Sequence, residues 1–281
     1  KLVGIATEWT DEAKQYLEQA LPLLQETIDQ NISAQIHYEL ARIALEQGHY
    51  EQAEQLLEVC HDIFTERAHA SGLFTTASQQ ALLAYRRGDL DKAKHVCLRI
   101  LALEKDALTR ALVLPVLRLL ADIALEEESF DLAERYCQEA LALCETLSIR
   151  SELAAVYYSL TVLARCQNKL EDARGWAQKT IQQCELTGNR GFKALALHEL
   201  SRIFISSNQV LLAISLSEES KNLLVDIRDN FNLVYILRQL GEAQLAAGNQ
   251  NQARQTWQVA LTLAEAQEHP LTQQLRLKAG P

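Results

Sequence analysis

Arginine, tyrosine and histidine recur at matched positions along this chain, and they are the side chains in it best able to do chemistry. One set, whose members follow one another at a constant period, reads Tyr38, Ser78, Arg118, Tyr158, His198 and Arg238. A second set, four positions further on, reads Arg42, Leu82, Asp122, Val162, Arg202 and Glu242. A further turn along lie Tyr85, Arg86 and Arg165. Residues four apart on a helix share a face, so these sets form one stripe if their segments are helical. A guanidinium grips a carboxylate through two parallel hydrogen bonds, and tyrosine offers contact area at little entropic cost. The stripe therefore suits recognition of a partner with acidic groups. The same spacing also suits plain intrahelical ion pairs, Arg118 with Asp122, Arg238 with Glu242, and Arg42 with Glu39 or Glu46, worth about 0.3–0.5 kcal/mol each.

Catalytic patterns are missing. No P-loop, GxSxG or GxGxxG occurs, and His198-Glu199 begins an HExxH motif that Arg202 breaks. The histidines (His37, His49, His61, His69, His95, His198, His269) show no ligand pair at helical spacing. The six cysteines form no CxxC; Cys97 with Cys137 and Cys144 with Cys184 share a repeat phase, which predicts small buried side chains in a reducing compartment. The sequence thus predicts no catalytic residue, no metal and no cofactor. A formal net charge of −10 disfavours nucleic acid and anionic membrane as partners. No apolar run is long enough to span a bilayer, and the opening KLVGIATEWT lacks a signal-peptide core, so a cytoplasmic location is expected.

The elements that must position the stripe are themselves periodic. Ala13, Ala53, Ala93, Ala133, Ala173, Ala213 and Ala253 keep a period of 40 without a slip. Alanine, leucine, glutamate and glutamine abound while the chain holds 10 glycines and 4 prolines, a helix-forming composition. Each unit reads as helix A, a turn at Gly48, Gly88, Glu128, Asn168, Asn208 or Gly248, then helix B. Gly or Asn at five of those turns fits a left-handed residue closing helix A. Asp11, Glu51, Asp91, Asp131 and Glu171 place an acid in the first turn of helix B, where the helix dipole favours it. Leucine at 40, 120, 160, 200 and 240 is followed by a small residue in every unit: Ala41, Ala121, Thr161, Ser201 and Gly241, with Ala81 after Gln80. Small residues there let helices approach closely. Trp257, in the phase of Leu57, is expected in the core, and Trp176, one residue off that phase, in packing or partly exposed. An initial helix B is expected from Asp11 to about Asp29, kinked or broken at Pro22. The last is expected to run to about Glu268, stopped by Pro270, before a tail or cap over 269–281. Lys1 has the phase of Ala41, so the chain opens halfway along a helix A, as a fragment of a longer protein does. The absence of methionine is unusual, although the unbroken period argues against many internal omissions.

The order Leu40-Ala41-x-x-Ala44, Gly48, Tyr50, Ala53, Leu57, Cys60, repeated as Leu120-Ala121-x-x-Ala124, Phe130, Ala133, Cys137 and Ala140, resembles the tetratricopeptide repeat. The resemblance covers about residues 11 to 268. The period of 40 exceeds the usual 34, the early tryptophan of helix A is absent, and no proline ends helix B. Repeats this long look like those of the sensor solenoid in maltose-activator-type regulators and related multidomain signalling ATPases, and of kinesin light chain and spindle-orientation adaptors. The resemblance implies an all-α, right-handed superhelix of stacked antiparallel helix pairs: one solenoid domain over 1–281, with six full hairpins and a partial N-terminal one. It also implies that helix A lines the concave face, which would place Tyr38, Arg42, Tyr85, Arg86, Arg118, Asp122, Tyr158, Arg165, His198, Arg202, Arg238 and Glu242 in a groove for a protein or peptide. The function it implies is a non-enzymatic partner-binding scaffold, the sensor or interaction domain of a bacterial regulator. A structural adaptor using its convex face or ends is the competing reading.

Overall fold

The computed structural model describes residues 11–25, 30–103, 110–267 and 269–280. The described residues hold fourteen α-helices and no strand. Helix α1 (Asp11–Gln25) is not broken at Pro22, and residues 26–29, the expected end of that helix, lie outside the described residues. Six hairpins follow: α2 (Gln30–Glu46) with α3 (Tyr50–Glu66), α4 (Ala70–Arg86) with α5 (Leu90–Ala102), and α6 (Leu114–Glu126) with α7 (Phe130–Thr146). Then come α8 (Leu153–Cys166) with α9 (Leu170–Thr187), α10 (Arg190–Ser206) with α11 (Val210–Asp226), and α12 (Asn230–Ala246) with α13 (Gln250–Ala266). The tail forms a short helix, α14 (Thr272–Ala279), whose Leu275 and Ala279 are buried against the last hairpin beside Trp257 and Ala264. The molecule is an all-α solenoid of stacked helix pairs.

Every A-to-B turn closes in the same way. Gly48, Gly88, Glu128, Asn168, Asn208 and Gly248 all have positive φ, between 55° and 83°. The amide that follows then reaches back over the turn to a carbonyl of helix A, as in His49 N to Ala44 O at 2.8 Å and Lys169 N to Ala164 O at 2.8 Å. This is the Schellman closure. Glu128 adopts it without the help of a glycine or asparagine. The B-to-A turns use the same conformation at Ala68, Ser148, Gly188 and Arg228, again in a single phase of the repeat, and only the glycine announces it by residue type.

Within each hairpin the facing helices are matched in volume. The small residue of helix A faces the residue sixteen positions later on helix B. Gly241 meets Trp257 so closely that a Cβ on the glycine would lie 2.3 Å from the indole Nε1. One hairpin earlier the pair is Ser201 with Ser217, whose hydroxyls share a 2.7 Å hydrogen bond. At the other end of the helices the side chain of Cys60 donates to Ala34 O, and in the equivalent place Ser220 donates to Ala194 O at 2.6 Å. Trp257 is buried, as its phase predicts, and Trp176 is half-buried, stacked on Tyr157 with ring centroids 5.6 Å apart. Cys60, Cys97, Cys137, Cys144 and Cys184 are buried and free; Cys166 is half-buried. Burial pushes the thiols of Cys60, Cys97, Cys137 and Cys184 up to about 12, so they act as small apolar fillers rather than nucleophiles.

The coil closes on itself. Gly48, in the first hairpin, lies against the side chain of Gln267, just past the last one: a Cβ at Gly48 would sit 2.7 Å from Gln267 Cγ. Arg86 on α4 stacks over the ring of Phe231 on α12, 4.4 Å from its centroid, although the two helices are four hairpins apart. A helices therefore face the inside of the coil, and B helices its outside.

Candidate partner-binding channel

Because the coil closes, A-helix residues of distant hairpins approach one another in its interior, and the stripe is a candidate lining for an inner channel. Its side chains come from opposite walls. Tyr235 of α12 has its phenol pushed up to about 12, by burial first and then by the nearby charges of Glu126 on α6 and Tyr50 on α3. Tyr85 of α4 is also raised, again by burial, with Asp122, Glu126, Tyr235 and Tyr158 all adding. Three A helices beyond α4 thus converge on one phenol.

The best-ordered part of the wall spans α8, α10 and α12. Glu199 is buried and bonded by Arg165 from the preceding A helix and by Arg202, at 3.0 Å, from its own. Burial alone would raise its carboxyl, but Arg202 and Arg165 outweigh it and hold Glu199 below the ordinary carboxylate range. His198 next to it is buried, its Nδ1 without a hydrogen-bond partner. Desolvation lowers it to about 4, against the pull of Glu199, so the ring is neutral at pH 7. Arg238 reaches Glu242 at 3.4 Å, and Lys278 of α14 reaches the same carboxylate at 3.2 Å. The backbone carbonyl of Arg238 accepts the Trp257 indole N–H at 3.0 Å, which ties the wall to the stack behind it.

Arg118 and Asp122 on α6 behave differently. The Arg118 guanidinium lies 5.5 Å from the centroid of Phe192 on α10, and its Nε has no hydrogen-bond partner. Phe192 in turn packs against Tyr158, 5.8 Å between centroids. Asp122 is pushed up to about 6 by burial, with Glu126 adding and Arg118 opposing. Here two spaced residues that could pair leave the Arg118 Nε unsatisfied. Burial likewise raises Tyr158 well above its ordinary value.

The first two hairpins supply the opposite wall. Arg42 bonds Glu39 at 3.0 Å, and Tyr38 accepts from Gln79 Nε2 at 3.4 Å. Arg86 donates to Leu45 O at 2.8 Å while its face covers Phe231. The channel thus brings the stripe residues together through named contacts or shared electrostatics, with Tyr38 at its first-hairpin end. Glu199, Phe192, Phe231 and Tyr235 also take part, and they lie outside the phases that define the stripe. Glu199 adjoins His198 and is visible in the sequence only as half of a broken HExxH. Phe192, Phe231 and Tyr235 sit one or two turns before the stripe; stacking on Tyr158 of the neighbouring hairpin brings in Phe192, and closure of the coil brings in Phe231 and Tyr235.

Among the described residues no cluster of three or more His, Cys, Asp or Glu is placed to hold a metal ion, and no helix is long and apolar enough to cross a membrane. Residues 10–66 match a family model described as tetratricopeptide repeat. No curated protein matches the chain in sequence. Solved structures share the architecture at low identity. Aspartyl phosphate phosphatase F from Bacillus subtilis superimposes with a TM-score of 0.68 at 13% identity, covering 95% of this chain and 66% of that one. A Rap protein complexed with Competence and Sporulation Factor gives 0.66 at 9%, covering 88% and 69%. The apo form of RapI gives 0.55 at 10%, covering 88% and 69%. At such identities the likeness concerns the fold. With the repeat and the match over residues 10–66, it shows a tetratricopeptide-like solenoid fold, one that generally serves as a non-catalytic scaffold for protein interaction.

Proposed function

We propose that this solenoid binds an extended partner segment bearing acidic groups in its inner channel, as the sensor or interaction domain of a cytoplasmic bacterial regulator. The observation that carries the reading is the Arg118 corner: a half-buried guanidinium over Phe192, its Nε unbonded, facing a channel that also presents Arg202 and Arg238. A buried donor left unsatisfied costs about 1–3 kcal/mol, a cost a partner carboxylate removes on binding. The Rap neighbour, solved complexed with Competence and Sporulation Factor, supports partner binding by such a coil by analogy of fold. An α-helix about 10–12 Å across suits the channel poorly, since Arg86 and Phe231 already touch across it. An extended segment suits it better.

The test uses two fluorescein-labelled heptapeptide pools, identical except that one fixes two aspartates where the other fixes asparagines. The acidic pool binds more tightly in fluorescence anisotropy. Arg118→Ala, Arg202→Ala and Arg238→Ala combined weaken it at least tenfold, about 1.4 kcal/mol, with helicity retained. Equal binding of the two pools, or an unchanged affinity in the triple variant, rules the reading out.

A further inference from the structure

The stacked interfaces of the coil run along whole helices. The contact that closes the coil does not. It consists of the turn at Gly48 against Gln267 and the Arg86 guanidinium spanning Leu45 O and the Phe231 ring, a ring that His269 of the same last unit backs at 4.6 Å between centroids. A pocket of about 430 Å³ opens within the seam, between Gly48–Gln52 on one side and Ala266–Gln267 on the other. Gln267 Oε1, although buried, has no hydrogen-bond partner there. Protein interiors tolerate few such voids and few such orphans. In a repeat array, stability is approximately a sum of neighbour terms, so a contact outside that ladder is the one that can be lost without unfolding any hairpin.

We propose that the seam is a latch: the coil opens and shuts between its first and last hairpins, and Arg86 is the pin. Arg86 is the seam residue with a grip on three elements. It stands on α4, caps the C-terminal carbonyl of α2 and stacks on α12. The charges around it are mixed. Glu46 at the end of α2 is raised, by burial first; Arg42 and Arg86 oppose this, while Asp229 from the far side of the seam adds to it. Asp229 thus adds a like charge to Glu46 across the closure and Arg86 offsets it, so removing the guanidinium leaves that repulsion less compensated. Head-to-tail placement adds a weaker term, since the C-terminal end of α13 and the N-terminal end of α3 line one pocket and their helix dipoles are of opposite sign there. Opening separates few groups compared with unstacking a hairpin, which puts it among motions with low local free energy. A further consequence rests on the proposed channel reading: a partner segment enters sideways through the opened seam instead of threading from an end.

The latch is tested without any partner, so its failure is separate from that of the channel reading. Gln52→Cys and Ala266→Cys, both exposed rims of the seam pocket, carry spin labels in a Cys166→Ser background that removes the half-buried native thiol. The distance distribution in the 281-residue chain shows a dominant short component. Arg86→Ala raises the population of a longer one on the order of tenfold, with far-UV circular dichroism unchanged. Phe231→Leu, which keeps an apolar filler but removes the ring face, does the same and stands in should Arg86→Ala misfold; Phe231→Tyr restores the short distance. A distribution unmoved by both Arg86→Ala and Phe231→Leu overturns the latch, as does a parent chain that shows only the long distance.

Discussion

The packing inside the hairpins, here called the stack, and the wall of the candidate channel are built from the same helices, and they use burial in opposite ways. In the stack, facing positions fit each other: Ser201 with Ser217, and Gly241 with Trp257. Where one side is smallest the other is largest, and the two serines satisfy each other. On the channel wall, burial falls on arginines, carboxylates and a histidine, several of them incompletely bonded: Arg118 Nε, Arg238 Nε and His198 Nδ1. A fold gains nothing from such atoms. The contrast teaches that the stack is optimised for stability and the wall is not, which is the pattern of surfaces kept for another molecule.

The sharpest way to break the stack is to disturb its most extreme pair. Gly241→Ala places a methyl inside van der Waals contact of the Trp257 indole, so the ring shifts and its bond to Arg238 O is strained or lost. The expected cost is about 2–4 kcal/mol, overpacking plus part of a buried hydrogen bond, read as a fall in the urea midpoint. Gly175→Ala is the control. It lies within α9, where a Cβ meets nothing within 4 Å, and it stabilises by about 0.5–1 kcal/mol through helix propensity and unfolded-state entropy. A similar response at both glycines would mean that Gly241 has no special fit with Trp257.

Glu199→Gln probes where the wall does contribute stability. The neutral amide keeps the shape but loses two charge-assisted bonds, to Arg165 and Arg202. The expected loss at pH 7 is about 1–3 kcal/mol. Its pH dependence has a definite sign. The folded carboxyl is held below its ordinary 4.5, so the unfolded chain binds more protons in that window. The stability Glu199 supplies is complete above the ordinary value and is lost as pH falls through the lowered folded one. The difference between parent and Glu199→Gln in urea midpoint therefore shrinks on acidification. A constant difference from pH 7 down to pH 3 would show that the ion pairs are not its source.

How much of this is legible in the sequence follows the same division. A contact that recurs in every unit leaves its mark many times over, so helices, A-to-B turns and the small-residue face can be read from Leu40, Ala41, Gly48 and their copies. Even Glu128 is placed correctly by its period, although its residue type argues against a left-handed turn. The B-to-A turns at Ala68, Ser148 and Arg228 escape such a reading because no chemical preference marks them. The seam is beyond its reach for a different reason. Gly48 with Gln267 and Arg86 with Phe231 occur once, between segments far apart in the chain, and depend on the curvature accumulated over six hairpins. Arg86 stands out in the sequence as a member of the stripe; its stacking on Phe231 requires that curvature. The i, i+4 rule foresees the Arg238–Glu242 pair, but the same spacing at Arg118 and Asp122 leaves the Arg118 Nε unbonded.

That last pair offers the smallest and most discriminating effect. Asp122 sits on the wall with its carboxyl pushed up to about 6 from 3.8, because burial disfavours its charge more than Arg118 favours it. The sign is opposite to that of Glu199. Between those two values the folded chain holds the proton more tightly than the unfolded one, so stability falls as pH rises through the window. Asn cannot ionise and escapes the loss. Asp122→Asn is therefore expected to match the parent near pH 3.5 and to exceed it at pH 7 by on the order of 0.5–1 kcal/mol, the modest size reflecting a group that water still reaches. Urea midpoints measured from pH 3.5 to 7 decide the matter. A variant weaker than the parent at pH 7 would mean that Asp122 is held by Arg118 as a structural ion pair, and the Arg118 edge would no longer count as open to a partner. A gain that grows through pH 4 to 6 means the wall carries a charge the fold does better without, retained beside an arginine that a partner's carboxylate can use.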